Sequence, residues 1–295
     1  MVLLATWGGT LLAWTSPAML AIAAVTLVAW VLLVPVERRA ADPVLPMTVL
    51  TNHTFVISTL VSVLMAGCLF GIHGYLPTYV QMVHGVSATV SGLLLVPGSL
   101  GMFIGAMVSG RLVTRTGRYR IYPVLGSLIA AAGMAMFALV PPTADPWWLG
   151  VAMFVLQLGI GMFLQLGVLI IQNALPASIL GTATATTNFF REIGVSLGNS
   201  IVGVLFSTRL SASLLQIGLS QDEASSITPA AVHTADEATA AAVRTAYAEA
   251  LAPVLLGLVP VLVVAAGIAL LFRPLPLSSR TGLEQINDEL AGKAP

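Results

Sequence analysis

The sequence predicts an all-α membrane protein, a polytopic bundle of seven transmembrane helices. Of its 295 residues, 57% are hydrophobic and only 8% are charged, whereas a soluble domain carries about 25% charged residues. The hydrophobic residues form seven runs, each long enough to cross the roughly 30 Å apolar core of a bilayer as a helix. Since the runs lack period-two alternation, helices rather than membrane strands satisfy their backbone groups. The runs cover residues 17–36, 54–79, 88–110, 121–141, 147–171, 184–208 and 251–272.

The positions of the charged residues predict how the chain is oriented. Lysine and arginine cluster after the first, third and seventh runs, whereas Arg209 and Arg244 are the cations of the opposite side. Because cytoplasmic loops carry the excess of positive charge, we expect the N-terminus outside and the C-terminus in the cytoplasm, with the chain in the cell membrane. The cytoplasmic cations are then Arg38, Arg39, Arg111, Arg115, Arg118, Arg120, Arg273, Arg280 and Lys293.

Several function classes are excluded by composition. Twelve basic and twelve acidic residues give no net charge, which excludes a nucleic-acid partner. One cysteine, Cys68, and four histidines without ligand spacing predict no metal and no cofactor. The one lysine, Lys293, lies in the tail, so no retinal Schiff base can form within the bundle. Residues 194–198 fit the G-x-S-x-G nucleophile pattern but lie inside a predicted helix without a histidine, so no enzyme is predicted.

Two charged residues inside the runs are the first candidate site. Arg191 and Glu192 both fall in the sixth run, and ionisable groups within a span usually face the bundle interior or a wet cavity. Adjacent helical residues do not face each other, so we expect each to have a different partner. Arg191 either snorkels to the headgroups or lines a cavity, and Glu192 is a candidate proton carrier.

Uncharged polar residues supply candidates for the substrate pathway. Gln165 lies deepest in an otherwise apolar run and is the strongest of them. Asn199, Tyr75 and Tyr79 are the others, with interhelical hydrogen bonding as the alternative role for each. Small residues four apart also predict close helix packing, and prolines within the runs are expected to bend or interrupt helices. The pairs are Gly67 and Gly71, Gly101 and Gly105, Gly194 and Gly198, and Ser196 and Ser200.

The sequence predicts a division of the chain into two parts. Residues 1–46 are expected to comprise the tail of a preceding helix, one transmembrane helix and a cytoplasmic link marked by Pro43 and Pro46. Residues 47–295 hold six helices, an outer loop at 209–250 and a cytoplasmic tail at 273–295. Within that loop, Asp236 and Glu237 are suited to begin a helix that continues into the last run.

The loop after the third run, SGRLVTRTGRYR at residues 109–120, resembles the G-x-L-x-D-R-x-G-R-R loop of the major facilitator superfamily. Thr114 stands where the aspartate would be, which removes the charge partner expected to latch a closed state. The candidate gating residues implied by the resemblance are Gly110, Arg111, Arg115, Gly117 and Arg118.

Further segments resemble the fourteen-helix drug/proton antiporter branch of that superfamily, with Glu192 in place of the more usual glutamine. The resemblance implies that 17–36 is an extra central helix and 54–272 the C-terminal half of a carrier. The complete carrier would export lipophilic or cationic small molecules by proton antiport and would need an N-terminal half. The alternative is a non-transporting membrane fragment or a partner subunit of a split carrier. The segments are GGTLLAWTSP (8–17), ERRAADPVLP (37–46), YLPTYVQMVHGVSATVSGLLLVP (75–97), IQNALP (171–176) and NFFREIGVSLGNS (188–200).

Overall fold

The computed structural model describes residues 15–39, 47–117, 119–176, 179–217 and 237–273, and these ranges are helical apart from short connections. The all-α fold class is therefore confirmed. Ten helices are present in these ranges: α1 Pro17–Arg39, α2 Met47–Leu50, α3 His53–His73, α4 Leu76–His84, α5 Ala88–Leu93, α6 Val96–Thr116, α7 Ile121–Leu139, α8 Trp147–Ala174, α9 Leu180–Gln216 and α10 Glu237–Ala269.

Seven spans long and apolar enough to cross a membrane arise from these helices, as predicted. Two of the spans are broken: α3 and α4 form the second span, and α5 and α6 form the third. In each, a proline, Pro77 or Pro97, lies in the first turn after the break, where a missing N–H leaves no intrahelical bond unmade. By contrast, Pro253 and Pro260 lie inside a continuous α10, so of the two predicted effects, bending or interruption, interruption does not occur there.

Four helices form the centre of the bundle. In order around the ring they are α3, α8, α7 and α10, each packed on its two neighbours. Helix α6 packs mainly on α8, and α9 packs mainly on α3, so these two flank the ring. Most described side chains of α1 are exposed, Val25 by 69% and Leu27 by 67%, as expected of a helix surrounded by lipid.

Glycines set close helix contacts in the bundle. A Cβ atom on Gly67 of α3 would press against the backbone of Gly194 on α9, and one on Gly71 would press against Val202 and the backbone of Gly198. A Cβ atom on Gly101 or Gly105 of α6 would press against the backbone of α8. The prediction of close packing from these pairs is confirmed. The G-x-S-x-G pattern lies in the middle of α9, where its two glycines pack on α3.

Two helices are longer than the hydrophobic runs predicted. Helix α9 continues to Gln216 and α10 begins at Glu237, so both ends of the predicted outer loop 209–250 are helical. The start of α10 agrees with the acidic helix start predicted at Asp236 and Glu237. The N-terminal tail, the link with Pro43 and Pro46, and residues 274–295 lie outside the described ranges. The orientation of the chain stays a prediction.

Candidate functional site

A cleft between α3, α8 and α9 brings polar side chains together inside the spans. It has about 20 Å³ of free volume, room for about one water molecule. Apolar atoms of α8 form one wall, and polar residues of α9 form the other. The lining residues are Ser62, Leu164, Gly167, Val168, Ile171, Thr184, Thr187, Asn188 and Arg191.

Asn52 positions the helices at one end of this cleft. Its Oδ1 accepts a 3.0 Å hydrogen bond from the backbone N–H of Phe55 and so caps the start of α3. Its Nδ2 donates a 3.4 Å bond to the carbonyl of Ala174, the last residue of α8. Closer to the cleft, the Ser58 hydroxyl donates to the Gly167 carbonyl at 3.2 Å. A small apolar cluster closes this end: Val49, Phe55, Ile171, Leu175 and Ala183.

The hydroxyl groups of the cleft donate their hydrogen atoms to backbone carbonyls. Ser62, Thr184 and Thr187 each donate to the carbonyl four residues earlier, at 2.8, 2.8 and 2.9 Å. Their oxygens therefore offer lone pairs, so they can accept hydrogen bonds. The cleft's free donors are the amide of Asn188 and the guanidinium of Arg191. Chemically, the cleft suits a ligand group or a water molecule that both donates and accepts.

Arg191 lines the cleft, and Glu192 is the next residue of α9. Arg191 Nη2 and Glu192 Oε1 are 3.5 Å apart, so the prediction that the two have different partners is wrong. Their long side chains bend around the helix to meet, although adjacent positions point apart. The side chains are 35% and 66% exposed, so this loose pair is open to its surroundings.

The polar side chains of α9 follow one face. Asn188, Glu192 and Asn199 are all exposed, and their spacing of four and seven residues places them in one stripe. On α8, Gln165 is exposed and directly follows Leu164, which lines the cleft. Thus the predicted pathway candidates Gln165 and Asn199 lie on the surface of this bundle rather than in its core.

The two tyrosine candidates lie in an aromatic cluster near the break between α3 and α4. The ring centroid of Tyr75 is 5.5 Å from that of Phe206, and its hydroxyl covers Gly203. Tyr79 is only 6% exposed and its ring lies 6.2 Å from that of Phe137. Asn199 lies beside the residue that precedes Tyr75, since its Oδ1 is 3.2 Å from the position of a Cβ on Gly74. The structure therefore places Tyr75 against α9 one residue from this contact and places Tyr79 in the core.

The candidate gating loop is held by residues that the sequence did not identify. Gly110 lies within α6, Arg111 and Arg115 are exposed, Gly117 ends α6 with φ 66°, and Arg118 lies outside the described residues. The firm contacts come from the next two positions. The Tyr119 hydroxyl donates to the Arg273 carbonyl at 2.6 Å, and the Arg120 guanidinium donates to the Leu270 carbonyl.

Gln157 of α8 is a second residue that sequence reasoning missed. It is 3% exposed, and its amide nitrogen has no hydrogen-bond partner among the described residues. The amide packs on Gly98 of α6, where a Cβ would collide with it. The signal was present, because Gln157 is a polar residue in the same apolar run as Gln165.

Comparison with known proteins identifies the family. Residues 1–199 match the Major Facilitator Superfamily. An uncharacterized MFS-type transporter of Mycobacterium tuberculosis is 34% identical over 282 residues, which cover 94% of this chain and 41% of the relative. The multidrug transporter protein MdtP of Bacillus subtilis is 29% identical over 71% of this chain and 38% of its own length. A tetracycline resistance determinant of Streptomyces rimosus is 32% identical over 71% of this chain and 58% of its own length.

A solved structure supports the same fold. The inward-facing, occupied structure of a bacterial homolog of the human lysosomal transporter Spinster superposes with a TM-score of 0.59 at 20% identity. The alignment covers 75% of this chain and 49% of that protein. The chain thus spans less than two thirds of the length of these relatives. It belongs to the Major Facilitator Superfamily.

Proposed function

We propose that the chain forms the C-terminal half of an efflux carrier, which exports lipophilic or cationic small molecules by proton antiport when complete. The names of the multidrug and tetracycline resistance relatives support export. The share of their length that this chain matches, 38% and 58%, supports the requirement for a further half. No enzymatic role is part of the proposal.

The observation that carries the proposal is the exposed polar stripe of α9 beside the cleft. Asn188, Glu192 and Asn199 lie within a membrane-spanning helix yet are covered by no described residue. Polar and ionisable side chains at this depth are costly in lipid and face a bundle interior or a water-filled path. We therefore place the N-terminal half opposite this stripe, with the transport pathway between the halves, as in carriers built from two six-helix repeats.

Each candidate residue has a defined role in this arrangement. Gln165 and Asn199 contact the substrate, Tyr75 borders the pathway beside Asn199, and Arg191 lines the cleft. Glu192 carries the proton, because its 66% exposed carboxylate can reach water in the pathway. The partners are the N-terminal half, the small-molecule substrate, the proton and the surrounding lipid, in a cell membrane with the N-terminus outside.

Accumulation of ethidium, a lipophilic cation, tests the proposal. Cells would co-express this chain with the N-terminal half of the Bacillus relative, and control cells would express this chain alone. We expect lower accumulation with both halves, reversal by a protonophore and no effect of the chain alone. Efflux by the chain alone would overturn the need for a second half. Failure of every tested N-terminal half to restore efflux would favour the non-transporting fragment.

Glu192→Gln in this chain, co-expressed with the N-terminal half, tests the proton role separately. We expect ethidium efflux to fall and to lose its dependence on pH, because an amide cannot release a proton in this range. Glu249→Gln, at an exposed glutamate of α10 away from the cleft, is the matched control for removal of a carboxylate. Unchanged pH dependence in Glu192→Gln would exclude Glu192 as the proton carrier and leave the export proposal standing.

A further inference from the structure

The stretch of chain around α6 is unusual in its charge. Between Asp42 and Asp145 the sequence has no acidic residue, and its four arginines all fall within residues 111–120. Of these, Arg120 is bound to the carbonyl of Leu270. Arg111 and Arg115 are exposed and form no ion pair with any described residue. This end of α6 therefore carries positive charge that the described part of the protein does not neutralise.

Helix α6 has two distinct faces. One packs on α8 through small residues. The other is exposed, by 54% at Leu100, 37% at Met107 and 40% at Val108, and continues directly into Arg111 and Arg115. At 3.6 residues per turn, these five positions lie on one side of the helix. The packed face consists of Gly98, Gly101, Gly105, Ser109 and Val113.

The length of the exposed face matches one leaflet of a membrane. From Leu100 to Arg111 a helix rises about 16 Å at 1.5 Å per residue, and half of a bilayer's apolar core is about 15 Å. If an acyl chain lay on Leu100, Met107 and Val108, the headgroup end of that lipid would therefore be level with Arg111. The two arginines, one turn apart, are placed to hold a headgroup phosphate between them through paired N–H donors.

We propose that this face of α6 binds an anionic phospholipid, with its phosphate held by Arg111 and Arg115 and an acyl chain on the apolar residues above. Charge complementarity favours lipid as the occupant, because the face joins a membrane-length apolar stripe to two unpaired cations. Basic sites at helix ends on the cytoplasmic side are suited to anionic headgroups. A soluble phosphate would use the arginines and leave the apolar stripe without a role.

Native mass spectrometry and thermal unfolding of the full purified chain test this proposal. The probes are phosphatidylglycerol and, at equal concentration, phosphatidylcholine of the same chain length. We expect phosphatidylglycerol alone to be retained and to raise the unfolding temperature. In Arg111→Gln/Arg115→Gln its affinity should fall about tenfold or more, since each juxtamembrane arginine contributes about 1 kcal/mol. Arg209→Gln, an exposed arginine of α9, is the matched control and should bind as the unaltered chain does.

A second variant separates lipid from free anion. Met107→Asn should weaken phosphatidylglycerol binding while leaving any effect of inorganic phosphate unchanged. Equal retention of both lipids, an unchanged affinity in the double variant, or stabilisation by inorganic phosphate alone would each overturn the proposal. So would loss of phosphatidylglycerol on co-expression with an N-terminal half, because that half would then cover this face.

Discussion

The Tyr119 hydroxyl donates a 2.6 Å hydrogen bond to the main-chain carbonyl of Arg273, 154 positions further along the chain. Tyr119 is 2% exposed and lies between α6 and α7, whereas Arg273 follows the end of α10. The adjacent Arg120 binds the carbonyl of Leu270, where a cation also complements the helix dipole. Two consecutive residues of a short loop therefore secure the end of the last helix.

Tyr119→Phe should lower the free energy of unfolding by about 1 kcal/mol, the net value of one hydrogen bond. The tyrosine ring stays packed in this variant, so the loss reports the hydroxyl alone. The measurement is equilibrium unfolding in mixed detergent micelles. Tyr122→Phe is the control, since its hydroxyl lies at a marginal 3.5 Å from Thr116, and its unfolding should change little. Equal stability of the two variants would show that the Tyr119 bond contributes nothing.

Gly198→Ala should destabilise the bundle by about 1–3 kcal/mol, the cost of overpacking a close contact. Its added methyl group would meet the backbone of Gly67 on α3, which cannot rotate away. Gly257→Ala in α10 is the matched control, because open space surrounds that position. Alanine is favoured over glycine in a helix by about 1 kcal/mol, so the control should be more stable. Unfolding of both variants in the same detergent gives the comparison, and opposite signs are expected.

Asn52→Ala should cost about 1–2 kcal/mol, because it removes an N-cap together with the link to α8. Asn52→Asp separates the two contributions: its carboxylate still caps α3, but it has no N–H to donate to Ala174. We expect the aspartate variant to fall between alanine and the unaltered chain in thermal stability. If the aspartate variant were as stable as the unaltered chain, the 3.4 Å hydrogen bond to Ala174 would contribute nothing to stability.

Cysteine labelling distinguishes the polar stripe of α9 from its apolar face. The one native cysteine, Cys68, is 2% exposed, so background reaction with a hydrophilic maleimide should be slow. In membranes that contain both halves of the carrier, Asn188→Cys and Asn199→Cys should react quickly, because the stripe then borders water. Cysteines replacing Phe189 and Ile201, 46% and 54% exposed, should react slowly because lipid covers them. Equal rates at all four positions would contradict the assignment of the stripe to a pathway.

The spans were predictable because each hydrophobic run is set by local composition and by the thickness of a bilayer. The boundaries were less so. Helix α9 continues beyond its predicted run to Gln216, whereas the start of α10 at Glu237 was indicated by the acidic residues there. The breaks after His73 and Leu93 were also not located, although Pro77 and Pro97 marked their vicinity. Proline alone is ambiguous, as the continuous α10 shows.

The candidate site was predictable in kind but not in arrangement. Arg191, Glu192 and Gln165 stand out in sequence because polar residues are rare in spans, and the first two lie at or beside the cleft. Tyr79 lies in the core, and an aromatic residue in an apolar run is typical of a core as well as of a pathway. Asn52 and Tyr119 act on partners more than 100 residues away, and no local pattern reveals such a contact.

The glycine contacts also determine which parts of the bundle can move. Helices α3 and α9 meet backbone to backbone at Gly67 and Gly198, and α6 and α8 meet in the same way at Gly105, so a sliding motion within either pair would force atoms to overlap. Each pair is therefore a stiff unit. The cleft lies along the boundary between the two units, where two side-chain hydrogen bonds join α3 to α8, one from Ser58 to Gly167 and one from Asn52 to Ala174. If the cleft opens, we expect the two pairs to move as units about the Asn52 end.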